Sequence, residues 1–115
     1  MNVYDTANRL AKEIKESEEY IEFKNIKAEI SKNLELKEKV DKFEKMRYEI
    51  QVFSLAGEKQ DDAKAEEFQK LYLELIQNEI VKKYFDLELK FNVLLADVNK
   101  IIGDAVADVI SRWFR

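Results

Sequence analysis

Apolar residues recur every three or four positions along most of this chain, which is the spacing of one face of an α-helix. The pattern is longest over residues 78–114, where it begins with Ile80, Tyr84, Leu87, Phe91, Leu94, Val98, Ile101 and Ala105. Beyond Val98 it widens into neighbouring pairs, which are Ile101 and Ile102, Ala105 and Val106, Val109 and Ile110, and Trp113 and Phe114. The sequence therefore predicts a long amphipathic C-terminal helix whose broad apolar face has to be covered.

The length of this helix bears on how its apolar face is covered. It would be roughly 50 Å long, whereas a compact globule of this chain length is about 35 Å across. The helix could break at Gly103, because glycine costs about 1 kcal/mol in a helix interior, the fold could be elongated, or a second chain could cover the overhang. The last two together are favoured, since leaving the paired side chains exposed would forgo up to roughly 10 to 20 kcal/mol.

Seven residues of this face form the predicted interface with a second copy or a partner: Val98, Ile102, Val106, Val109, Ile110, Trp113 and Phe114. The two aromatic residues are flanked by Arg112 and Arg115, a combination that also favours a membrane surface. Asp104, Asp108 and the negative net charge argue against that alternative. Coverage by the chain's own helices or by a protein partner is the better interpretation, and no direct membrane contact is predicted.

Four shorter helices are predicted upstream, each marked by a residue that can cap a helix start. These residues are Asn2 or Asp5, Ser17, Asn33, and Asp61 or Asp62, while Asn78 opens the last helix. Gly57 is a natural end for the third helix, and the polar residues 58–64 form the predicted loop. The predicted fold is all-α, an antiparallel bundle of about five helices that forms one domain over residues 1–115. It is predicted to self-associate through the apolar face of the last helix and through the third helix.

The predicted third helix has an apolar stripe and a charged face. The stripe comprises Leu36, Val40, Phe43, Met46, Ile50 and Phe53, and the acid–base pairs four residues apart are Glu35 with Lys39, Glu38 with Lys42 and Asp41 with Lys45. A strip of Lys37, Lys39, Lys42, Lys45 and Arg47 could also track the phosphates of RNA. The interleaved acidic residues largely neutralise that strip, so a solvated helix face is the favoured interpretation and RNA binding is the alternative.

Composition supports the helical interpretation and narrows the chemistry. The 115 residues include no proline and only two glycines, while 38% are charged, a usage that suits long helices. The formal net charge of −4 gives no global attraction to nucleic acid, so direct nucleic-acid binding is not expected. No basic region followed by an apolar run stands at the start, and no apolar stretch is long enough to span a membrane, so the expected location is the cytoplasm.

The chain contains neither cysteine nor histidine. This removes disulfides, thiolate zinc and iron–sulfur ligation, Ser-His-Asp chemistry and the commonest general acid or base near neutral pH. The carboxylates Asp61, Asp62, Glu66 and Glu67 could suggest a metal cluster, but di-metal helical bundles also need histidine. They are better explained by capping and the helix dipole. No enzyme activity, cofactor or metal is predicted.

Several short motifs, taken in order, resemble the YlbF/YmcA family of small helical bacterial regulators, to which YheA-type proteins are similar. The first group is Val3-Tyr4-Asp5, Ala7, Leu10-Ala11, Ile14-Lys15, Ser17 and Glu19-Tyr20. The second group is Asn33, Glu35-Leu36-Lys37, Phe43, Gln51, Gly57-Glu58, Asn78 and Asp97-Val98-Asn99-Lys100-Ile101-Ile102. The resemblance covers nearly the whole chain and lies in the order of the motifs, because each alone is a helix cap or a core stripe.

This resemblance implies a self-associating helical protein without catalytic activity, forming a homodimer or a larger assembly. Relatives act with a YaaT-type partner in competence, sporulation and biofilm formation, and are linked to messenger-RNA processing by RNase Y. The characterised complex carries iron–sulfur clusters held by cysteine, and this chain has none. It therefore acts outside that complex or without the cluster, and a YheA-like role would leave its process undefined.

Overall fold

The computed structural model describes residues 2–58 and 61–110 of the chain. Its helices are α1 (Val3–Glu16), α2 (Glu18–Ser31), α3 (Leu34–Leu55), α4 (Asp62–Leu75) and α5 (Glu79–Ala105). The described residues contain no β-strand. The predicted all-helical class and the number of helices are confirmed.

The helix starts lie where the sequence placed them, because each has a side chain that replaces a missing backbone acceptor. The capping bonds run from the Asp5 N–H to Asn2 (2.9 Å), from the Tyr20 N–H to Ser17 (3.2 Å), from the Leu36 N–H to Asn33 (3.1 Å), and from the Ala63 N–H to Asp61 (2.9 Å). Of the paired alternatives, Asn2 rather than Asp5 and Asp61 rather than Asp62 are the caps.

Asn78 caps α5 with a single side-chain oxygen. Its Oδ1 accepts the N–H groups of Ile80 at 2.9 Å and Val81 at 3.2 Å. We expect Asn78→Ala to lower the free energy of unfolding by about 1 kcal/mol, because both donors lose their acceptor. Urea unfolding followed by circular dichroism measures the change. Asn92→Ala is the matched control, since Asn92 is exposed within α5, and a loss as large as that of Asn78→Ala would contradict the capping role.

Gly57 follows the end of α3 in the left-handed conformation, with φ of 71°. This conformation lets the Glu58 N–H reach the Phe53 carbonyl at 3.0 Å and the Gly57 N–H reach the Ser54 carbonyl at 3.2 Å. Glycine adopts it without the steric cost that a Cβ would bring. The predicted helix end is confirmed, but the loop is shorter than predicted, because α4 already begins at Asp62.

The described residues divide into two compact units. The central unit runs from Asn25 to Tyr84, and the terminal unit combines the residues up to Lys24 with those from Phe85 onward. The buried apolar residues of the central unit are Ile26, Ile30, Leu36, Val40, Phe43, Leu71, Leu75, Val81 and Tyr84. In the terminal unit Leu87 and Gly103 are buried. A single domain over residues 1–115 remains a prediction.

Helices α3 and α4 form an antiparallel hairpin in the central unit. The Phe43 and Phe68 rings stack with centroids 4.7 Å apart. At one end of the hairpin Lys39 Nζ lies 2.9 Å from Glu74 Oε1, and towards the other end Lys64 Nζ lies 5.9 Å from the centre of the Phe53 ring. The pairing order follows from the Gly57 turn, which reverses the chain between the two helices.

The last helix is shorter than the sequence predicted. It passes through Gly103 without a break and ends at Ala105, and residues 106–110 form turns. The Val106 N–H bonds to the Gly103 carbonyl at 3.3 Å, a tighter pattern than that of an α-helix. Glycine and the β-branched residues after it are poor helix formers, which favours an end here. Residues 111–114 of the predicted helix lie outside the described part of the chain.

Three members of the predicted α5 stripe, Ile80, Ile101 and Ala105, are exposed, whereas Val81 is fully buried. Ile80 stands in the first turn of α5, where side chains tilt towards the N-terminus and therefore point past the end of the helix. Phe91, Leu94 and Val98 are half-buried as part of the expected stripe. The predicted stripe did not include Val81. Tyr84 lies four residues after Ile80 and three residues after Val81, so the helical spacing fits either residue.

Candidate functional site

The C-terminal stripe is the name used here for Val98, Ile102, Val106, Val109 and Ile110. Val98 and Val106 are half-buried, Ile102 and Ile110 are exposed, and Val109 is 79% exposed. Only its first two members belong to α5, because the helix ends at Ala105. Trp113 and Phe114, the other two predicted interface residues, lie outside the described residues.

A second exposed apolar surface lies on α3. Tyr48, Val52 and Leu55 are spaced by four and three residues, so they share a helix face. All three are exposed, and Leu55 is 90% exposed. We call them the α3 outer stripe. The three-and-four spacing of the sequence would have revealed these residues as a second stripe beside Met46, Ile50 and Phe53.

Helix α1 adds a further uncovered surface in the terminal unit. It contributes no buried residue. Val3 and Tyr4 are exposed, while Leu10 and Ile14 are half-buried. Contiguous exposed apolar surface typically marks an interaction site in a protein of this size. The apolar face of α1 therefore remains largely accessible.

Three of the four lysines of α3 are paired with carboxylates, although not always with the predicted ones. Lys39 pairs with Glu35, as predicted, at 3.7 Å and also with Glu74 of α4. Lys42 pairs with Glu67 of α4 at 3.2 Å instead of with Glu38. Asp41 pairs with Lys37 at 2.8 Å instead of with the predicted Lys45. The two predicted pairs Glu38 with Lys42 and Asp41 with Lys45 are wrong, because Glu67 of the neighbouring helix takes Lys42 and Lys37 of α3 itself takes Asp41.

Two of these lysines have altered proton affinity. A hydrogen bond to Glu74 raises the pKa of Lys39, and a hydrogen bond to Asp41 raises the pKa of Lys37, both from an ordinary value of 10.5. Because each lysine pKa is raised, deprotonation of the lysine weakens these interactions only as the pH rises above 10.5. Both ion pairs therefore stay intact throughout the neutral range.

A polar cluster joins α3 to the start of α5 within the central unit. The Tyr84 hydroxyl donates to Glu44 Oε1 at 3.0 Å, and the same carboxylate pairs with Arg47. The Arg47 guanidinium in turn lies 5.5 Å from the centre of the Phe43 ring. Tyr84 is buried, so its hydroxyl needs this acceptor. The burial of Tyr84 and its need for an acceptor account for the cluster.

The acidic residues near the start of α4 have structural roles. Asp61 caps the helix and Glu67 pairs with Lys42. Within residues 2–58 and 61–110, no group of three or more histidine, cysteine or acidic residues is placed to hold a metal ion. None of the described helices is both long enough and apolar enough to cross a membrane.

The fold and these surfaces define a small helical protein whose most prominent described features are exposed apolar stripes. Residues 3–107 match the family described as control of competence regulator ComK, YlbF/YmcA. The chain therefore belongs to the YlbF/YmcA family, which confirms the resemblance found in its motifs. This is a family of regulators and not one of enzymes.

Relatives of similar length support this assignment. The chain is 34% identical to a UPF0342 protein of Caldicellulosiruptor bescii over 112 residues, which cover 97% of this chain and 94% of the relative. It is 32% identical to a UPF0342 protein of Desulfitobacterium hafniense, with 99% and 92% covered. A protein of unknown function (DUF964) from Bacillus stearothermophilus has the same fold, with a TM-score of 0.79, 16% identity and 96% of each chain covered.

Proposed function

We propose that this protein is a cytosolic, non-enzymatic regulatory adaptor. It self-associates through the C-terminal stripe and the α3 outer stripe, and in that form it binds another regulatory protein. The observation that carries the proposal is the exposure of these two apolar stripes in a chain of the competence-regulator family.

The energetic argument rests on the exposed apolar side chains. Full burial of one such side chain is worth about 1.5 to 3 kcal/mol, so pairing even a few of them between two copies would stabilise an assembly measurably. The α3 outer stripe and the C-terminal stripe lie in different compact units. Both stripes are therefore proposed as contact surfaces between copies.

The regulatory part of the proposal follows from family membership. The matching family is described by its control of the competence regulator ComK. We propose competence, sporulation and biofilm formation as the processes to test, with a YaaT-like protein and RNase Y as candidate partners. Because this chain has no cysteine, any complex with them would draw no iron–sulfur ligand from it.

The test is a variant in which the C-terminal stripe becomes charged: Ile102→Asp, Val106→Asp and Val109→Asp together. We expect the mass measured by light scattering across a concentration series to fall from that of an oligomer to that of a monomer, because three carboxylates would have to be buried unpaired. Capture of a purified YaaT-like protein or of RNase Y by the immobilised chain should fall with it.

The matched control places the same three charges elsewhere, as Leu34→Asp, Leu73→Asp and Ile80→Asp. These residues are exposed and belong to neither stripe. We expect the control to keep the mass and the capture of the unmodified chain. If the stripe variant behaved like this control in both measurements, the proposed interface would be wrong.

RNA binding through α3 gains no support from the geometry. Lys37, Lys39 and Lys42 are engaged by carboxylates, as is Arg47. A phosphate would have to displace these partners, which weakens the electrostatic gain. The adaptor is therefore the function that the structure favours.

A further inference from the structure

A groove runs between α2 and α5 in the terminal unit. It has a volume of about 540 Å³ and is lined by Glu18, Glu19 and Glu22 on one side and by Leu89, Lys90 and Val93 on the other. The helices are held together beside it by an aromatic cluster, in which the Phe91 ring lies 5.8 Å from the centres of both Tyr20 and Phe23. The groove is thus part of a packed helix pair.

The groove combines an apolar wall with an acidic rim. Leu89 is 65% exposed and Val93 is 51% exposed, so both side chains are available for contact. None of the three glutamates forms an ion pair within the described part of the chain. With three carboxylates against the single ammonium of Lys90, the rim favours a cationic ligand that also carries apolar groups.

The chain itself contains a segment of this chemistry. Residues 111–115 read Ser-Arg-Trp-Phe-Arg, which places two aromatic rings between two guanidinium groups. Arginine and large aromatic residues are the side chains that most often anchor protein interfaces. We propose that the groove between α2 and α5 receives residues 111–115 of a second copy of this chain. This inference rests on the proposed self-association and names the surface that accepts the C-terminal residues.

A second copy is the occupant that the proposed self-association supplies. Residues 111–115 lying in the groove of their own chain would leave the Trp113 emission independent of protein concentration, whereas docking into a second copy makes the emission change on dilution.

The position of the groove on α5 lets both contacts form at once. Leu89 and Val98 are nine residues apart, so at 3.6 residues per turn they point in directions that differ by roughly 180°. The C-terminal stripe begins at Val98 and therefore starts on the opposite side of α5 from the groove. One copy can use its stripe for a contact while its groove holds the C-terminal residues of another.

A cleft in the central unit suits these residues less well. It has a volume of about 300 Å³ in the central unit, and its apolar lining includes Met46, Ile50 and Phe53. Its rim carries three lysines, Lys42, Lys45 and Lys64, against three carboxylates, Glu49, Asp61 and Glu67. These charges cancel, so this cleft offers Arg112 and Arg115 no net attraction, whereas the groove between α2 and α5 has three carboxylates against one ammonium.

The chain has one tryptophan, Trp113, which provides an intrinsic probe. We expect its emission in the full-length chain to shift to longer wavelength on dilution, as the C-terminal residues leave the groove and become hydrated. Leu89→Ser with Val93→Ser should move the midpoint of this transition to higher protein concentration. Light scattering on the same samples reports the mass independently of the fluorescence.

A charge exchange decides whether the groove is the receiving surface. Glu18→Arg with Glu22→Arg should raise the midpoint concentration about fivefold to tenfold, and so should Arg112→Glu with Arg115→Glu. The chain carrying all four substitutions should return towards the original midpoint. In that chain the groove carries the positive charges and residues 112 and 115 carry the negative ones, so opposite charges meet again. Glu58→Arg with Glu66→Arg is the matched control, since both residues are exposed and lie outside the groove.

The outcomes separate this inference from the proposed function. An oligomer whose midpoint responds equally to the groove and control variants, or is not restored in the fourfold variant, would overturn the groove assignment and leave the adaptor proposal standing. A chain that is monomeric at every concentration, with constant Trp113 emission, would overturn both. Restoration in the fourfold variant, with an unchanged control, would establish the contact.

Discussion

Leu75→Ala is expected to lower the free energy of unfolding by about 2 to 5 kcal/mol, because it removes a fully packed side chain and leaves a cavity. Leu75 is 2% exposed at the end of α4, within the central unit. Whole domains of this size are stable by only about 5 to 15 kcal/mol. The variant should therefore unfold at a clearly lower urea concentration, measured by far-ultraviolet circular dichroism.

The matched control is Leu73→Ala, two positions away on the same helix. Leu73 is 49% exposed, so truncation removes less buried area and opens no enclosed cavity. We expect a loss of about 1 kcal/mol or less, including any effect of helix propensity, which favours alanine slightly. Equal losses at both positions would show that α4 does not bury the face described here.

Phe43→Ala is the second substitution with a large expected effect, about 3 to 5 kcal/mol. Phe43 is buried in α3, stacks on Phe68 at 4.7 Å and lies 6.0 Å from the Tyr72 ring. Its ring also lies under the Arg47 guanidinium, which is paired with Glu44. Removing the ring therefore takes away the main apolar contact of the hairpin and a support of its polar cluster.

Phe53→Ala provides the comparison at the other end of α3. Phe53 is half-buried beside the cleft of the central unit and contacts Lys64. Partial burial predicts a loss of about 1 to 2 kcal/mol in the same urea unfolding experiment. If Phe53→Ala cost as much as Phe43→Ala, the hairpin would be packed evenly along its length, contrary to the burial pattern described here.

The candidate surfaces were predictable to different degrees. Ile102, Val109 and Ile110 were found from their apolar spacing alone, and the structure places them at the surface. The α3 outer stripe was missed, because a helix that is apolar on two sides does not show which side is buried. Trp113 and Phe114 lie outside the described residues, and the use of any of these positions as an interface remains a prediction.

For the ion pairs, spacing along the sequence identified a partner within α3 but not the partner that comes from α4. Glu35 with Lys39 was identified correctly from four-residue spacing. Lys42 instead pairs with Glu67, a partner from another helix. Such a pair depends on how α4 lies against α3, and no pattern within α3 contains that information.

Local chemistry in the sequence determined the helical class, the number of helices and most of their boundaries. Asn33 and Asn78 bond to backbone donors two or three residues away, and Gly57 supplies a left-handed turn, so these features need no other part of the chain. Only the tertiary structure decided that Val81 rather than Ile80 is buried, that α5 ends at Ala105, and that α2 and α5 leave a groove. These features depend on which faces meet, and apolar spacing along one helix leaves that choice open.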